Sequence, residues 1–375
     1  MEYRAIGIMS GSSLDGLDIA CAEFTHQGGK WTYRLLEADC HSYPDEWVKK
    51  LSGATRLPAR EYLLLHSEYG HYLGQQVNLF IDRYGLSYRV ALVASHGHTT
   101  FHMPDARMTA QLGDGSAIAA QTQLPVVSDL RALDVAFGGQ GAPIVPIGEK
   151  LLMDDYDYFL NLGGIANISI YTIDQPGPVA FDICPANRVL NMLANEAGKD
   201  YDEGGAMAAS GQVHTALLTQ LNDLDYYKKP PPKSLANDFG TDVIYPMIRD
   251  SGCGIPDALR TCCEHIAVQL HKAISTINDS VLRTPASELP PPASRLLATG
   301  GGALNDFLVS CIREKLGTLA IGVQVPDEKL VNYKEALIMA FIGVLRWRQE
   351  YNVLSTVTGA ARHSIGGALW TGQEA

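Results

Sequence analysis

The sequence lacks the long apolar run and the basic surface that mark two large classes of protein. Its longest apolar segment, residues 336–345, is well short of the roughly 18 residues that a membrane span needs. No basic segment precedes a long apolar stretch near residue 1, so no secretory signal is predicted. Lys and Arg number 29 against 41 Asp and Glu, and the resulting net charge of −12 excludes a basic nucleic-acid footprint. We therefore expect a cytoplasmic protein with no membrane and no nucleic-acid partner.

Cysteine pairs with metal-ligand spacing are also absent from the sequence. The seven cysteines include no CxxC pair, which favours free thiols in a reducing compartment over a zinc site. His96, His98 and His102 lie close together, but no Cys or carboxylate with ligand spacing accompanies them. We interpret the three histidines as hydrogen-bonding residues of a Gly- and Thr-rich turn.

The common nucleotide and hydrolase fingerprints are missing as well. No GxxxxGK[ST] occurs, which excludes a P-loop, and no GxGxxG joins the first strand to a helix. The protein-kinase HRD signature and the GxSxG nucleophile elbow are also absent. Any nucleotide site must therefore be built in another way.

Glycine is what the sequence has in excess. It contributes 36 of 375 residues, against an average of about 7%. Three glycine-containing turns lie next to apolar segments: SGSSLDG (10–16), NLGGIANIS (161–169) and TGGGALN (299–305). Because glycine lets backbone N–H groups approach and surround phosphate oxygens, three such turns suggest a shared polyanion. Ordinary turns and helix starts remain the alternative.

The order of predicted elements indicates a duplicated α/β unit. Each half of the chain has a β-meander, a glycine turn between strands and then alternating strands and helices. Long helices are predicted at 58–84, 257–281 and 335–351 from their apolar spacing. We expect a first domain of residues 1–126 plus 350–375 and a second domain of residues 127–349.

Asp182 is the carboxylate that the pattern singles out. It follows a strand predicted at 179–181, where a side chain can project into an active-site crevice and accept a proton. A turn or N-cap role is the alternative for Asp182 and also for Asp15. Glu335, at the predicted start of a helix, has the alternative of complementing the helix dipole.

Many short blocks of the chain resemble the anhydro-N-acetylmuramic acid kinase family. They run in family order from residue 7 to residue 360 and are GIMSGSSLDGLDIA, SHGHTTFH, LGDGSAIA, DLRALDVAFGGQGAPIVP, NLGGIANIS, FDICPANRVLN, YDEGG, PPKS, GGGALN, KEALIMAFIG and STVTGA. The resemblance implies the superfamily of actin-like, sugar-kinase and Hsp70 ATPases. Its fold is α/β, with two ribonuclease-H-like (actin-like ATPase) domains flanking a central cleft.

The resemblance also implies an activity. Such enzymes use ATP and Mg²⁺ to open the 1,6-anhydro ring of 1,6-anhydro-N-acetylmuramic acid with water and to phosphorylate O6. The products are N-acetylmuramic acid 6-phosphate and ADP, formed in cell-wall recycling. The partners implied are ATP and a small amino sugar, and the Tyr- and Leu-rich helices offer a surface for a homodimer.

Residue roles follow from the matching blocks. Asp182 matches the base that activates water, and Glu335 matches a glutamate near that water. The positions that match nucleotide-binding residues are Ser10, Gly11, Ser13, Asp15 and Gly16 in the first phosphate loop, Gly163, Gly164 and Asn167 in the second, and Gly300, Gly301, Gly302 and Asn305 on the adenosine side. Asp15 is expected to reach Mg²⁺ through water. His96, Thr99 and Arg131 match the sugar side, where Arg131 is expected to pair with the lactyl carboxylate.

The chain departs from the family pattern at several positions. Ser12 replaces a Thr, and His98 replaces a Gln. Ile183 and Cys184 replace Thr and Gly beside Asp182, and these apolar neighbours are expected to raise the pKa of Asp182. The departures leave two alternatives open: a kinase for a related amino sugar, or a non-catalytic nucleotide-binding regulator.

Overall fold

A computed structural model describes residues 1–11, 14–171, 177–231, 233–236, 238–281 and 294–373. The strands are β1 (Glu2–Ser10), β2 (Gly16–Gln27), β3 (Lys30–Ser42), β4 (Leu92–Ser95), β5 (His98–Met103), β6 (Met108–Leu112), β7 (Val126–Ser128), β8 (Tyr158–Leu162), β9 (Ile165–Ile170), β10 (Val179–Pro185), β11 (Arg295–Thr299), β12 (Gly322–Gln324) and β13 (Ala368–Trp370). The helices are α1 (Asp45–Gly53), α2 (Ala59–Arg83), α3 (Gly115–Thr122), α4 (Ala132–Ala136), α5 (Pro146–Leu152), α6 (Asn187–Glu196), α7 (Ala206–Ser210), α8 (Thr215–Asn222), α9 (Asp225–Lys228), α10 (Tyr245–Asp250), α11 (Ile255–Val281), α12 (Asp306–Gly317), α13 (Glu328–Trp347) and α14 (Ser355–Thr358).

The chain divides into two units, residues 1–154 with 333–375 and residues 155–332. The first unit extends beyond the expected 1–126 and 350–375 because α5 packs against α13. Glu149 and Lys334 form a buried ion pair with 3.0 Å between carboxylate oxygen and ammonium nitrogen. Gly148 leaves room for the side chain of Ile338, which a Cβ would meet at 2.6 Å. Both contacts join residues near 150 to the C-terminal helix within one unit.

The first unit contains a six-stranded sheet with the order β3-β2-β1-β4-β7-β13. β1, β2 and β3 form the antiparallel meander predicted from the sequence, and β1, β4 and β7 run parallel. β13 closes the sheet antiparallel to β7. A separate hairpin of β5 and β6 lies where the sequence indicated only a turn.

The second unit repeats this topology in a five-stranded sheet with the order β10-β9-β8-β11-β12. Its first three strands are again an antiparallel meander, and β8, β11 and β12 are parallel. When strands are numbered in chain order within each sheet, the first five strands of both sheets have the spatial order 3-2-1-4-5. This shared order confirms the duplicated α/β architecture expected for two ribonuclease-H-like domains.

Two long helices show how apolar spacing determines which face is buried. α2 buries Leu65, Tyr69, Leu73, Val77 and Phe80, whose spacing of three or four residues places them on one face. It runs from residue 59 to 83, close to the predicted 58–84.

Helix α13 differs from its predicted range at both ends. This helix begins at Glu328 instead of residue 335 and ends at Trp347 instead of residue 351, and it is kinked at Tyr333. The early start follows from Leu330 and Val331, which are already buried in the second unit. Across the described ranges, no helix is both long and apolar enough to cross a membrane.

Strand β1 and helix α13 touch backbone to backbone at Gly7. A Cβ at Gly7 would overlap the carbonyl oxygen of Ala336 and would lie 2.5 Å from the backbone nitrogen of Ala340. Neither backbone atom can rotate away as a flexible side chain would. The contact places Glu335, the residue before Ala336, near the end of β1.

We predict that Gly7→Ala destabilises the first unit by at least about 2 kcal/mol, because the added methyl group forces the sheet and helix apart. Urea denaturation followed by circular dichroism measures this change. Gly53→Ala is the matched control: Gly53 has helical dihedral angles and open space around it, so alanine is expected to stabilise by up to about 1 kcal/mol. Equal effects of the two substitutions would contradict the close contact.

Candidate active site

The first phosphate loop begins at Ser10, which is held by buried hydroxyl groups. Tyr43 donates a hydrogen bond to Ser10 Oγ at 2.8 Å, and Tyr69 Oη lies 2.6 Å from Tyr43 Oη. Ser10 Oγ lies 3.1 Å from Nδ1 of His98. When Tyr69 donates to Tyr43 and Ser10 donates to an unprotonated Nδ1 of His98, each of the three hydroxyl groups donates one hydrogen bond. Burial also lowers the pKa of His98, which keeps the ring neutral.

His98 therefore supports the loop through Ser10. His98 stands where the family pattern has a Gln. With 7% of its surface exposed, its Nδ1 is already occupied within the fold.

The remainder of this loop combines one strained residue with one tightly packed glycine. Leu14 has a left-handed backbone with a φ of 57°, which is costly for a residue with a Cβ. A Cβ on Gly16 would overlap the sulfur atom of Cys40 on β3. Gly16 is thus required by strand packing, whatever else it does. Gly11 follows directly after β1, and the predicted loop residue Ser13 lies outside the described residues.

Asp15 and Glu335 act on a third carboxylate beside this loop, Asp18, which the sequence pattern had not singled out. Asp18 lies on β2 opposite Met9 and Cys40. Its pKa is raised from 3.8 to about 6, chiefly by burial and further by the charges of Asp15 and Glu335. The available signal was a second aspartate in SGSSLDGLD, three residues after Asp15.

The donor set near the loop is compatible with a phosphate-bound Mg²⁺ ion. Within the described part of the chain, no group of three or more His, Cys, Asp or Glu side chains is placed to hold a metal alone. Mg²⁺ usually keeps several waters and takes one or two carboxylates plus substrate phosphates. An exposed Asp15 beside a phosphate loop has that chemistry.

His96 and Arg131 form a buried pair whose protonation is determined by geometry. Arg131 Nε donates to His96 Nε2 at 2.8 Å, so Nε2 must be unprotonated. Nδ1 then carries the proton and donates to the carbonyl oxygen of Gly97 at 2.9 Å. Burial and the Arg131 charge lower the pKa of His96 to about 3. The neutral imidazole of His96 binds the Nε edge of the Arg131 guanidinium. The two terminal amino groups of this guanidinium have no hydrogen-bond partner among the described residues.

Asp134 links two glycine-containing family blocks, GGQGAP and STVTGA. Its Oδ2 accepts from the backbone nitrogen of Gly141 at 2.8 Å, and its Oδ1 accepts from Thr358 Oγ1 at 2.7 Å. A Cβ on Gly139 would overlap Asp134. This fully buried carboxylate joins the segments GGQGAP and STVTGA to α4, the helix that starts after Arg131.

Asp182 in the second unit lies on β10 at a bulge, where the register with β9 shifts between Asp182 and Cys184. Its Oδ2 accepts a hydrogen bond from the backbone nitrogen of Leu235 at 2.8 Å. Its own backbone nitrogen donates to the carbonyl oxygen of Lys233 at 2.9 Å, and Tyr226 Oη donates to its carbonyl oxygen at 2.6 Å. Burial raises the pKa of Asp182, partly opposed by the Leu235 hydrogen bond, which confirms the expected direction.

The second and third glycine turns lie next to each other in this unit. Gly300 has a φ of 80°, and a Cβ there would lie 2.5 Å from Asn161 Oδ1. A Cβ on Gly302 would lie 2.7 Å from Asn187 Oδ1. By contrast, a Cβ on Gly163 or Gly164 would make only ordinary contacts, at 3.5 Å or more. Two of the three glycine turns thus lie side by side within one unit, whereas their binding of a polyanion stays a prediction.

A model of the anhydro-N-acetylmuramic acid kinase family matches residues 3–372. The chain belongs to this family. A relative named anhydro-N-acetylmuramic acid kinase from Aliivibrio fischeri is 33% identical, over 98% of this chain and 99% of the relative. Relatives of the same name from Azorhizobium caulinodans and Francisella tularensis subsp. novicida are 31% and 32% identical, over 98% of this chain and 99% of each relative. A solved structure titled as component A of an (R)-2-hydroxyglutaryl-CoA dehydratase from Acidaminococcus fermentans has a TM-score of 0.46, with 12% identity, 90% coverage of this chain and 96% of that chain.

Membership of this family does not make every predicted ligand residue free to bind. Asn305 caps α12, with its Oδ1 accepting from the backbone nitrogen of Leu308 at 2.9 Å, and it packs on Gly205 of the YDEGG block. Asn167 lies on β9 opposite both Asn161 and Asp182. Thr99 lies on β5, within 3.5 Å of Gln111 Nε2. The kinase family predicted from the sequence blocks is confirmed, whereas the individual ligand roles stay predictions.

We predict that Asp18→Asn stabilises the first unit at pH 8 and has little effect near pH 4. The native state holds a proton on Asp18 up to about pH 6, while the unfolded chain loses it near 3.8, so stability falls as pH rises between these values. One pKa unit corresponds to about 1.4 kcal/mol, and we expect a gain of about 1–3 kcal/mol above pH 6. Urea denaturation across pH measures it, with the exposed Asp105→Asn as control. A gain that is independent of pH would contradict this cause.

Proposed function

We propose that this protein is an ATP-dependent kinase acting on 1,6-anhydro-N-acetylmuramic acid in the cytoplasm, in the recycling of cell-wall peptidoglycan. Water adds to the anomeric carbon C1, the bond between C1 and O6 breaks, and O6 takes the γ-phosphoryl group of ATP. The products are N-acetylmuramic acid 6-phosphate and ADP. The observation that carries the proposal is the half-buried Asp182 carboxylate, with its raised pKa, in a chain that matches this family from residue 3 to 372.

Asp182 is proposed to remove the proton from the attacking water. Its Oδ2 is occupied by the Leu235 amide, whereas Oδ1 has no recorded donor among the described residues and is the oxygen proposed to accept the proton. Burial makes this carboxylate a stronger base than an exposed aspartate, because the charged form is poorly solvated. The three contacts with residues 226–235 keep its position fixed during the proton transfer.

The phosphate groups are proposed to bind at the glycine turns. A Cβ on Gly163, Gly164 or Gly301 would have no neighbour closer than 3.5 Å, so the backbone of these turns is not crowded. Ser10 and Gly11 serve the same purpose in the first unit. A bound Mg²⁺ ion would be held by the phosphates, by water and by Asp15, and it would neutralise charge that develops on the transferring phosphoryl group.

Arg131 is proposed to bind the lactyl carboxylate of the sugar. Because His96 holds Nε, the two terminal amino groups of the guanidinium can form a bidentate pair with a carboxylate. Glu335 interacts electrostatically with Arg131, and we assign it to the orientation of the attacking water. Thr99 is proposed to contribute a hydroxyl group on the sugar side.

The first test is an ADP-release assay on the full chain with anhydro-N-acetylmuramic acid, N-acetylmuramic acid and N-acetylglucosamine. We expect ADP formation that requires the anhydro sugar and Mg²⁺. Asp182→Asn should reduce kcat by about 10²- to 10⁴-fold, since an amide cannot accept the proton, while ATP affinity measured by calorimetry stays unchanged. The exposed Asp200→Asn is the matched control and should behave as wild type.

Two results would contradict the proposed function. Near-wild-type kcat in Asp182→Asn would remove the assigned base. Turnover on the free sugars but not on the anhydro sugar would remove the ring-opening reaction itself.

We predict that Arg131→Lys discriminates between two substrates. It should raise KM for anhydro-N-acetylmuramic acid by about 10- to 100-fold, because a charged bidentate pair contributes about 1.5–3 kcal/mol. The same substitution should change KM only slightly for 1,6-anhydro-N-acetylglucosamine, which has no lactyl carboxylate. Steady-state kinetics with both sugars measures the difference, and an equal effect on both would contradict the assignment.

A further inference from the structure

A cavity of about 230 Å³ in the second unit is not used by the proposed reaction. Its walls are β10, the second half of α11 and the segment that follows α9. Phe181 and Ile183, which flank Asp182 on β10, form part of the apolar wall together with Tyr227 and Ala273. Two prolines, Pro230 and Pro231, also line it, and their rings restrict the backbone there.

The cavity is positively charged in a protein whose net charge is −12. Among the described residues, its lining has no Asp or Glu but has four lysines: Lys228, Lys229, Lys233 and Lys272. This cluster of positive charge distinguishes the cavity from the molecule as a whole, which is acidic. It creates a local potential that attracts a small anion, in contrast to the acidic surroundings.

Two of these four lysines are already engaged with the protein. Lys228 is paired with Asp223 at 3.1 Å and with Asp225 at 3.5 Å. Lys233 donates to the carbonyl oxygen of Tyr226 at 3.2 Å and lies 4.6 Å from the centre of that ring. Burial lowers the pKa of Lys233, and the nearby charge of Lys229 lowers it further.

Lys229 and Lys272 are the two that remain for a ligand. Both are exposed, and neither has an ion pair recorded within the described part of the chain. Ammonium groups bind phosphate as point charges without strict geometry. A volume somewhat below that of a drug-sized pocket suits a phosphate group carrying at most one small ring.

The wall of the cavity is also the support of Asp182. Tyr226, Lys233 and Leu235, on the segment that borders the cavity, make the three hydrogen bonds to Asp182 described above. Tyr227, next to Tyr226, contacts the cavity directly and hydrogen-bonds to His265 at 2.9 Å. Any ligand that moves or stiffens this segment changes the position of the carboxylate.

We propose that this lysine-lined cavity is a second ligand site, which binds a small phosphate monoester or inorganic phosphate and adjusts the activity of Asp182. Binding itself depends only on the cavity, whereas the effect on turnover rests on the proposed function. This site is separate from the proposed phosphate site at the glycine turns, because Lys229 and Lys272 belong to none of those turns.

Binding is tested by calorimetry on the full chain without nucleotide, using glucose 6-phosphate, inorganic phosphate and, as neutral control, glucose. We expect saturable binding of a phosphate compound, weakened at least about tenfold in the double variant Lys229→Gln/Lys272→Gln. The double variant Lys49→Gln/Lys199→Gln removes the same charge at exposed positions elsewhere and should bind as wild type. Tighter binding of glucose 6-phosphate than of phosphate identifies a monoester as the ligand, and equal binding identifies free phosphate.

The effect on Asp182 is tested in two ways. Hydrogen exchange should show slower exchange of the Leu235 amide when ligand is present, in wild type but not in the Lys229→Gln/Lys272→Gln variant. The kcat for the anhydro sugar should change with added glucose 6-phosphate in wild type and not in that variant.

Several outcomes overturn the proposal. The second site is excluded if wild type binds no phosphate compound, or if both double variants lose affinity equally. Binding that changes neither Leu235 exchange nor kcat overturns the coupling to Asp182. A complete absence of kinase activity would overturn the proposed function, while the calorimetry would still decide whether the cavity binds an anion.

Discussion

The contact between Gly7 of β1 and the backbone of Ala336 on α13 is the constraint on which the first unit depends. No side chain fits between this strand and this helix, so their separation is set by backbone atoms alone. The helix then lies close enough to the sheet for Glu335 to influence Asp18 on β2 and Arg131 before α4. The buried Glu149–Lys334 pair joins α5 to the same helix one residue before Glu335. A small residue in one strand thus allows several charged groups to lie near one another.

Buried polar groups provide the second level of organisation. Three candidate functional side chains are held by hydrogen bonds from neighbouring residues: Ser10 by Tyr43 and His98, Arg131 by His96, and Asp182 by Leu235. A satisfied hydrogen bond in a buried site is costly to break, because the group left behind is neither paired nor solvated. Such support favours one orientation of each side chain over its other rotamers.

Glycine occupies its positions in the family blocks for different physical reasons. Gly7 and Gly16 are required by packing within the first unit, and Gly205 by contact with Asn305. Gly163, Gly164 and Gly301 are not crowded, because a Cβ there would make only ordinary contacts. These uncrowded glycines resemble the phosphate-approaching glycine that the sequence pattern suggested, whereas Gly7, Gly16 and Gly205 serve to bring strands, helices and caps together.

The sequence alone determined the family and the repeated meander, because these follow from ordered motifs and from local apolar periodicity. It did not reveal the pKa of Asp18, the extent of the first unit, the neutral His96 beside Arg131 or the lysine-lined cavity. Those properties arise from contacts between residues that are far apart in the chain, such as Ser10 with His98 and Glu149 with Lys334. Burial and charge at a residue depend on which distant segments surround it, and only the tertiary structure decides that.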